Sequence, residues 1–548
     1  MSDPALFTYE KHTDKNHIAF GHIDSFNHLS THDKYLFKKF AAGPICELPT
    51  TCIHHAFEFY ARTTPNAIAA IHKKDTITYG ELNRRADLLA TYLATQGIGP
   101  GDYVGLFVRR SIPMLIGIMA VLKIGAAYVP QDVKLAPENQ LRYIIDKAKI
   151  SVILTLSAYH SKIKHFENTK TLCIDKVNHS TTNPLATKII TGNITGKTNS
   201  KDPCFILFTS GTTGKPNGVK VTHENVCNIL LTEPGDLGMK PGMKVSQLLN
   251  IAFDMAAWEI LGCLSHGATL LIRESNMQAV ANDADVIIAT PSILHNIDPE
   301  QCTHVKTVAV AGEPCSKPLA DKWSQKCAFY NCCGPTETTI VNTAQHYTGT
   351  GEPLTIGKPT PNNTIYILNA DQFPCKIGEI GEIWAGGKGI SAGYLNNPTL
   401  TNERYAPDPF LNDGMMFRTR DLARWTKDGE LEFFGRADDQ VKFKGFRIEL
   451  DGISSVIEST PNCTQATTLK YNSHQLVAFI TPSNVDCQQV RKTLEKNLPY
   501  YCIPEHIYTM ETLPLTDRGK VDKRKLRSFA EKLQRVSTLS PTPSEELI

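Results

Sequence analysis

Short apolar runs alternate with helical stretches over the first three hundred residues. That alternation constrains the fold more than any other feature of the chain. ITYGELNRRADLLATYLATQG (77–97) places Leu82, Ala86, Leu89, Tyr92 and Leu93 at helical spacing and stops at Gly97. DYVGLFV (102–108) then reads as a buried strand, IPMLIGIMAVLKIGA (112–126) as a buried helix, and AYVP, SVILTL (151–156) and TLCID (171–175) as further strands. After a loop rich in Asn, Thr, Lys and Gly (177–200), CFILFT, VSQLLN, ATLLIR, DVIIAT and VKTVAVAG carry the rhythm to Gly312. Strand, helix and strand in repetition predict an α/β fold with a mainly parallel sheet, because the crossover helices must cover the faces of the sheet. Beyond residue 350, TIYILN, EIGEIWAGG and ELEFFGR predict a smaller β-rich subdomain. From about 439 a compact β–α unit follows, and the end of the chain is rich in Ser, Thr and Pro.

Composition excludes several classes of function. Lys plus Arg number 57 against 55 Asp plus Glu, which argues against a strongly basic nucleic-acid binder. The longest apolar run, Met114 to Val121, falls far short of the roughly 20 residues that cross a bilayer. The first residues, MSDPALFTYEKHTDKN, lack an apolar signal core. Fifteen cysteines are scattered without a CxxC pair, which fits free thiols in a reducing cytosol better than zinc or disulfides. The expectation is a cytoplasmic, monomeric protein with neither nucleic acid nor membrane as partner.

The sequence TSGTTGKPNG, Thr209 to Gly218, follows an apolar run with three glycines and four Ser/Thr hydroxyls. Glycines let successive N–H groups point into one concavity, and hydroxyls add donors for phosphate oxygens. A Walker A loop is absent, and such a loop taken alone also fits a surface turn.

Eight further segments stand in a fixed order with it: TYGEL (78–82), LKIGAAYVPQD (122–132), FDMAAWE (253–259), NCCGPTE (331–337), GEIGEIWAGGKGISAGYLNNP (378–398), FRTRDL (417–422), GRADDQVKFKGFRIEL (435–450) and RGKVDKRKL (518–526). From about Cys52 to Leu526 the chain resembles the adenylate-forming superfamily, most closely the amino-acid-activating adenylation domains of nonribosomal peptide synthetases. The resemblance implies a large N-terminal domain of two α/β subdomains plus a β-barrel, and a small mobile C-terminal α+β domain. It implies ATP and Mg2+ as cofactors. An acid and ATP give an acyl-adenylate and pyrophosphate, and the acyl group then passes to the phosphopantetheine thiol of a carrier domain. The boundaries expected are a linker or packing arm (1–45) following a condensation domain, a core (46–437), the mobile domain (438–530) and a loose tail (531–548) towards a carrier domain.

Roles for single residues follow from the same resemblance. Lys520 is the mobile catalytic lysine, whose point charge suits the negative charge gathered at phosphorus. Glu337 is the magnesium ligand and Thr336 holds the α-phosphate. Read without the family, Pro-Thr-Glu is a helix start with Thr336 as its N-cap. The nucleotide is held by Thr209, Ser210, Gly211, Thr212, Thr213, Gly214, Gly312, Asn331, Cys333, Asp421 and Arg436, with Asp421 on the ribose hydroxyls. Asp438 is the hinge. Asp254 pairs with a substrate α-ammonium, since a carboxylate in an apolar pocket needs a cation. Met255, Trp258, Ile288, Ala309, Ala311, Cys332, Ile340 and Val341 wall the pocket. That wall suits an α-amino acid with a neutral, long or bulky side chain. A fungal hydroxamate-siderophore synthetase acting on an N5-acyl-N5-hydroxyornithine is one such reading, and an aromatic or aliphatic residue is its competitor.

Four positions depart from the family pattern. Asn217 replaces the lysine of Pro-Lys-Gly, Cys333 the aromatic that stacks on adenine, and Arg420 the glycine of Thr-Gly-Asp. Asp451-Gly452 stands where Gly-Glu is usual. A stand-alone acyl-CoA ligase and a degenerate scaffold module remain as alternatives.

Overall fold

The computed structural model describes residues 26, 28–177, 198–349, 351–411, 413–472, 474–516 and 521–539. The chain divides into two compact units. The first takes residues 1–134, 144–209 and 217–438, and the second takes 135–143, 210–216 and 439–548.

Two large sheets dominate the first unit. One has six strands in the order Lys170–Cys173, Val152–Thr155, Tyr103–Val108, Ala127–Asp132, Pro203–Thr209 and Asn217–Thr222. All neighbours are parallel except the last pair, which forms a hairpin around the glycine loop. The helix Ile112–Lys123 is buried along its whole length. It therefore reads as a continuous apolar run, and each large side chain buried there contributes about 1.5–3 kcal/mol. Ser111 caps its first turn by accepting from Met114 N, and Pro113 occupies a first-turn position where its missing N–H costs nothing.

The second sheet has nine strands, in the order Lys358–Pro359, Thr343–Tyr347, Ala328–Cys333, Thr307–Val310, Val286–Ala289, Lys244–Gln247, Thr269–Ile272, Ile68–His72 and Asp75–Thr78. Its centre is parallel, and Thr343–Tyr347 runs antiparallel to Ala328–Cys333. In the parallel centre Ile288 lies beside Ala309 and Ala309 beside Tyr330. The carboxyl ends of these strands thus fall in line, the usual place for ligands in α/β sheets.

A third sheet orders Asn363–Leu368, Gly381–Gly387, Met415–Trp425 and Tyr405–Pro407, with Leu431–Arg436 also on Met415–Trp425. A β-barrel was expected here. Among the described residues the hydrogen-bonded order is open, and no pairing closes it. One of its faces is covered by the helix Thr31–Phe40. Phe26, Leu29 and Phe37 pack with Tyr366, Trp384, Phe410 and Met416, and Ala42 bridges to Thr364.

The second unit holds the hairpin Gln440–Phe443/Phe446–Glu449 and a three-stranded sheet of Gln465–Lys470, Leu476–Thr481 and His506–Thr509. Ile453, Ile457, Val490 and Leu494, from helices Leu450–Glu458 and Cys487–Asn497, share its core with Leu476, Ala478 and Ile480. The helix Lys523–Leu539 carries Leu526 and Ala530 into a smaller cluster with Val477 and Phe479. Among the described residues no helix is long and apolar enough to cross a membrane.

Candidate adenylation site

The residues expected to wall a substrate pocket gather where the nine-stranded sheet ends. Ile288 and Ala309 lie on adjacent strands, Cys332 near the end of the next, and Ala311 just beyond its strand. Helical residues Met255 and Trp258 and loop residues Ile340 and Val341 join them in one apolar cluster, each of the eight buried. Trp258 Nε1 donates to Gly235 O at 2.6 Å, so the indole is satisfied by backbone. Burial pushes the Cys332 thiol well above its ordinary range, which keeps it neutral. Gly312, at φ +86°, takes a left-handed turn just past the strand Thr307–Val310.

Asp254 stands at the N-terminus of the short helix Asp254–Ala257 and is half-buried. Its Oδ1 accepts from Met255 N at 2.8 Å, and its Oδ2 accepts from Thr336 Oγ1 at 2.7 Å. This corrects the reading of Thr336 as an N-cap. Pro335 holds the cap position, and Thr336 opens the short 3-10 turn Thr336–Thr338. Its hydroxyl donates to Asp254, because a carboxylate is a stronger acceptor than any partner within the turn.

Glu337, next along, is fully buried and accepts from Tyr394 OH at 2.7 Å through Oε1. A loop of unusual backbone carries both residues. Thr339 and Ile340 have φ of +60° and +68°, a region costing roughly 1–2 kcal/mol per non-glycine residue. Gly334 closes the loop, since a Cβ there would lie 2.6 Å from Val341 Cα and 2.9 Å from Asn342 N.

Asn331 Nδ2 donates to Thr355 O at 2.6 Å. Cys333 faces the opposite way from Cys332, into a cluster with Ile356, Ile365, Ile383 and Trp425. Asp421 Oδ1 accepts from Arg436 Nη1 at 2.8 Å. The same guanidinium grips Asp438 by a fork, Nε to Oδ1 at 2.7 Å and Nη2 to Oδ2 at 2.9 Å. Arg420 has φ +64°, the conformation that a glycine takes without strain. Its Nη2 donates to Glu403 at 2.7 Å and its Nη1 lies 3.7 Å from Asp438, so its charge answers carboxylates.

The glycine loop belongs to the second unit from Ser210 to Pro216. Ser210 Oγ donates to Arg447 O at 2.8 Å, and Gly214 N to Gly211 O at 3.0 Å. Thr212 and Thr213 are exposed. Gly214 has φ +74°. A Cβ on Gly452 would lie 2.3 Å from Gly211 O, which explains a glycine at that departure from the pattern. Lys520 lies outside the described residues.

Several residues of this arrangement were not singled out from sequence: Gly334, Tyr394, Glu259 and Arg110. Glu259 carried a usable signal, a carboxylate inside the apolar run WEILGC. Among the described residues no group of three His, Cys, Asp or Glu side chains could hold a metal ion. Glu337 nevertheless suits Mg2+, which takes one or two hard carboxylate ligands and draws the rest from phosphates and water.

The parallel sheets of the first unit and the smaller α+β second unit make an α/β adenylate-forming fold. The chain belongs to the AMP-binding enzyme family, whose pattern matches residues 57–395, and it is an adenylate-forming ligase. Membership implies ATP and Mg2+ dependence. The chain is 45% identical over 512 residues to Adenylate-forming reductase 06235 of Coprinopsis cinerea, covering 92% of this chain and 49% of the relative. It is 44% identical over 511 residues to Adenylate-forming reductase 03009 of the same organism, with the same coverage. The chain thus spans about half the length of these curated relatives. The fold matches NpsA-ThdA, an artificially fused adenylation–PCP didomain NRPS from Klebsiella oxytoca. The TM-score is 0.72 at 23% identity, over 90% of this chain and 98% of that one.

Proposed function

We propose that this chain activates an α-amino acid with a neutral, apolar side chain, forming aminoacyl-AMP and pyrophosphate from the acid and ATP. The observation that carries this reading is Asp254, a half-buried carboxylate beside a wholly apolar wall and held by Thr336. The resemblance to amino-acid-activating adenylation domains gives this carboxylate to a substrate α-ammonium, a charge that suits it in a largely apolar setting. Trp258 N–H is already spent on Gly235 O. The hydroxamate of an N5-acyl-N5-hydroxyornithine would therefore meet apolar wall, and an aliphatic or aromatic side chain is favoured.

ATP supplies the adenylyl group, and Mg2+ neutralises charge on its phosphates. On this reading Glu337 holds the metal, the glycine loop's N–H groups and the Thr212 and Thr213 hydroxyls cradle phosphate oxygens, and Asp421 takes the ribose hydroxyls. Lys520 brings positive charge to the reacting oxygens. The product is handed to a phosphopantetheine thiol on a carrier domain. The two relatives are named adenylate-forming reductases, which favours reduction of the activated acyl group by a hydride donor as its next step, over transfer to a condensation domain.

Exchange of labelled pyrophosphate into ATP, over a panel of amino acids, their des-amino analogues and modified ornithines, tests the proposal. Exchange with an apolar amino acid well above its des-amino analogue is expected. Equal rates for the two would overturn the amino-acid assignment and leave a plain carboxylic acid as substrate.

A further inference from the structure

Behind Asp254 lies a buried polar group that takes no direct part in the reaction above. Glu259 sits on the π-turn Trp258–Gly262 and is fully buried. Its carboxyl accepts from Leu248 N at 2.6 Å, from Leu249 N at 3.1 Å and from Gln247 Nε2 at 3.1 Å. Arg110 grips the same two residues by their carbonyls, Nη2 to Leu248 O and Nε to Leu249 O, each at 2.9 Å. One carboxyl group thus holds the amides of this segment and one guanidinium holds its carbonyls. Asn250 follows, with Nδ2 donating to Asp132 at 3.0 Å and Oδ1 accepting from Ala252 N at 2.9 Å. Phe253 N donates to Asn250 O at 3.0 Å, and the next residue is Asp254.

A buried polar cluster is a poor device for stability, since apolar residues of equal volume often serve as well. What it supplies here is placement. The segment leaves the strand Lys244–Gln247 and must present Asp254 at one point after six residues of mostly irregular chain. A π-turn, a feature frequent at functional sites, aims Glu259 at this segment while Trp258 lines the pocket.

We propose that Glu259 and Arg110 are positioning residues for amino-acid recognition, acting through Leu248–Asn250 to fix the Asp254 carboxylate. The proposal rests on the reading of Asp254 given above. Glu259→Gln keeps the volume but sets an amide N–H2 among N–H donors, and Arg110→Lys removes one of the two carbonyl contacts. Each should raise KM for the amino acid about tenfold with KM for ATP within twofold, the size of effect that couples neighbouring residues. KM for the des-amino analogue should not move. In the double variant with Asp254→Ala, Glu259→Gln should add no further loss, because its effect passes through a carboxylate already removed. Additive losses would overturn the proposal, as would KM values for ATP and amino acid that rise together. Should Glu259→Gln fail to fold, Arg110→Lys carries the same cycle. If the unaltered enzyme does not distinguish amino from des-amino substrate, the Asp254 reading fails first. If it does distinguish them and both variants keep that preference in full, only the positioning role fails.

Discussion

At the scale of single residues, Asp254 carries the substrate assignment. Its Oδ1 accepts from Met255 N and its Oδ2 from the Thr336 hydroxyl. Replacing it with Ala should lower kcat/KM for the amino acid at least a hundredfold, about 2.7 kcal/mol, while affinity for ATP stays within a few-fold. Pyrophosphate exchange with both substrates reads this directly, and an unchanged ratio of amino to des-amino rates would sink the assignment. Cys333 makes a second case. Its side chain packs with Ile356 and Ile365, and it offers no ring to a nucleotide base. Cys333→Tyr should tighten binding of a non-hydrolysable ATP analogue about fivefold, as ~1 kcal/mol of stacking would give. Titration calorimetry measures it. Equal or weaker binding would mean that another group already covers the base, or that the larger ring disturbs the core beside it.

At the scale of elements, the loop from Gly334 to Asn342 sets Thr336 and Glu337. It reverses the chain between the antiparallel strands Ala328–Cys333 and Thr343–Tyr347. Gly334→Ala would drive a methyl into Val341 Cα at 2.6 Å, a backbone atom that cannot yield cheaply. Gly312→Ala meets nothing nearer than 3.5 Å, and its cost is the φ of +86° alone. The first variant should therefore lose kcat by tenfold or more through displaced Thr336 and Glu337. The second should lose about 1–2 kcal/mol of stability, and because Gly312 is expected to hold the nucleotide, its loss of activity should fall on KM for ATP rather than on kcat. Comparable kcat losses in both would refute the loop's separate role. Much of the architecture is legible in the sequence, because period and punctuation are local. The strand runs DYVGLFV and DVIIAT and the helix from Tyr79 to Thr95 lie close to where patterning places them. The site is legible as residue types. Its contacts are not, since Thr336 and Asp254 meet across 82 positions and no spacing rule reaches that far. The positive φ at Ile340 and Arg420 also defies local preference, as a β-branched or long side chain gives no sign of a left-handed backbone. Closure of the expected barrel is not legible either, and among the described residues the sheet stays open. Strand patterning yields the strands, but closure depends on tilt and stagger around the whole sheet.

At the scale of the whole molecule, buried titrating groups in the first unit set the pH dependence of stability. His54 and His223 lie in its core with ring centroids 5.4 Å apart. Among the described residues, His54 Nδ1 and both nitrogens of His223 have no hydrogen-bond partner. Burial, with the neighbouring histidines as a smaller cause, holds His54 well below its ordinary 6.5 and His223 down to about 3. Below 6.5, and for His223 down to about 3, the unfolded chain binds protons that the folded chain refuses. Stability therefore falls with acid by about 1.4 kcal/mol per pH unit for each such histidine. Glu259 works in the other direction. Burial pushes its carboxyl up to about 8, against the pull of the Leu248 and Leu249 amides and Arg110. From 4.5 to about 8 the folded chain keeps a proton that the unfolded chain has released, so its contribution falls as pH rises. Asp87 and Asp408, also raised by burial, act in that same sense. Two histidines outweigh one glutamate below 6.5, and the glutamate stands alone above it. Stability from these groups should peak near pH 6.5, measured as unfolding midpoints in denaturant from pH 5 to 8.5. His223→Phe keeps the ring volume and should remove about one proton from the acid slope, while Glu259→Gln should flatten the alkaline limb. An acid slope unchanged in His223→Phe would show that the histidine is protonated in the folded chain, and that its burial does not exclude the charge.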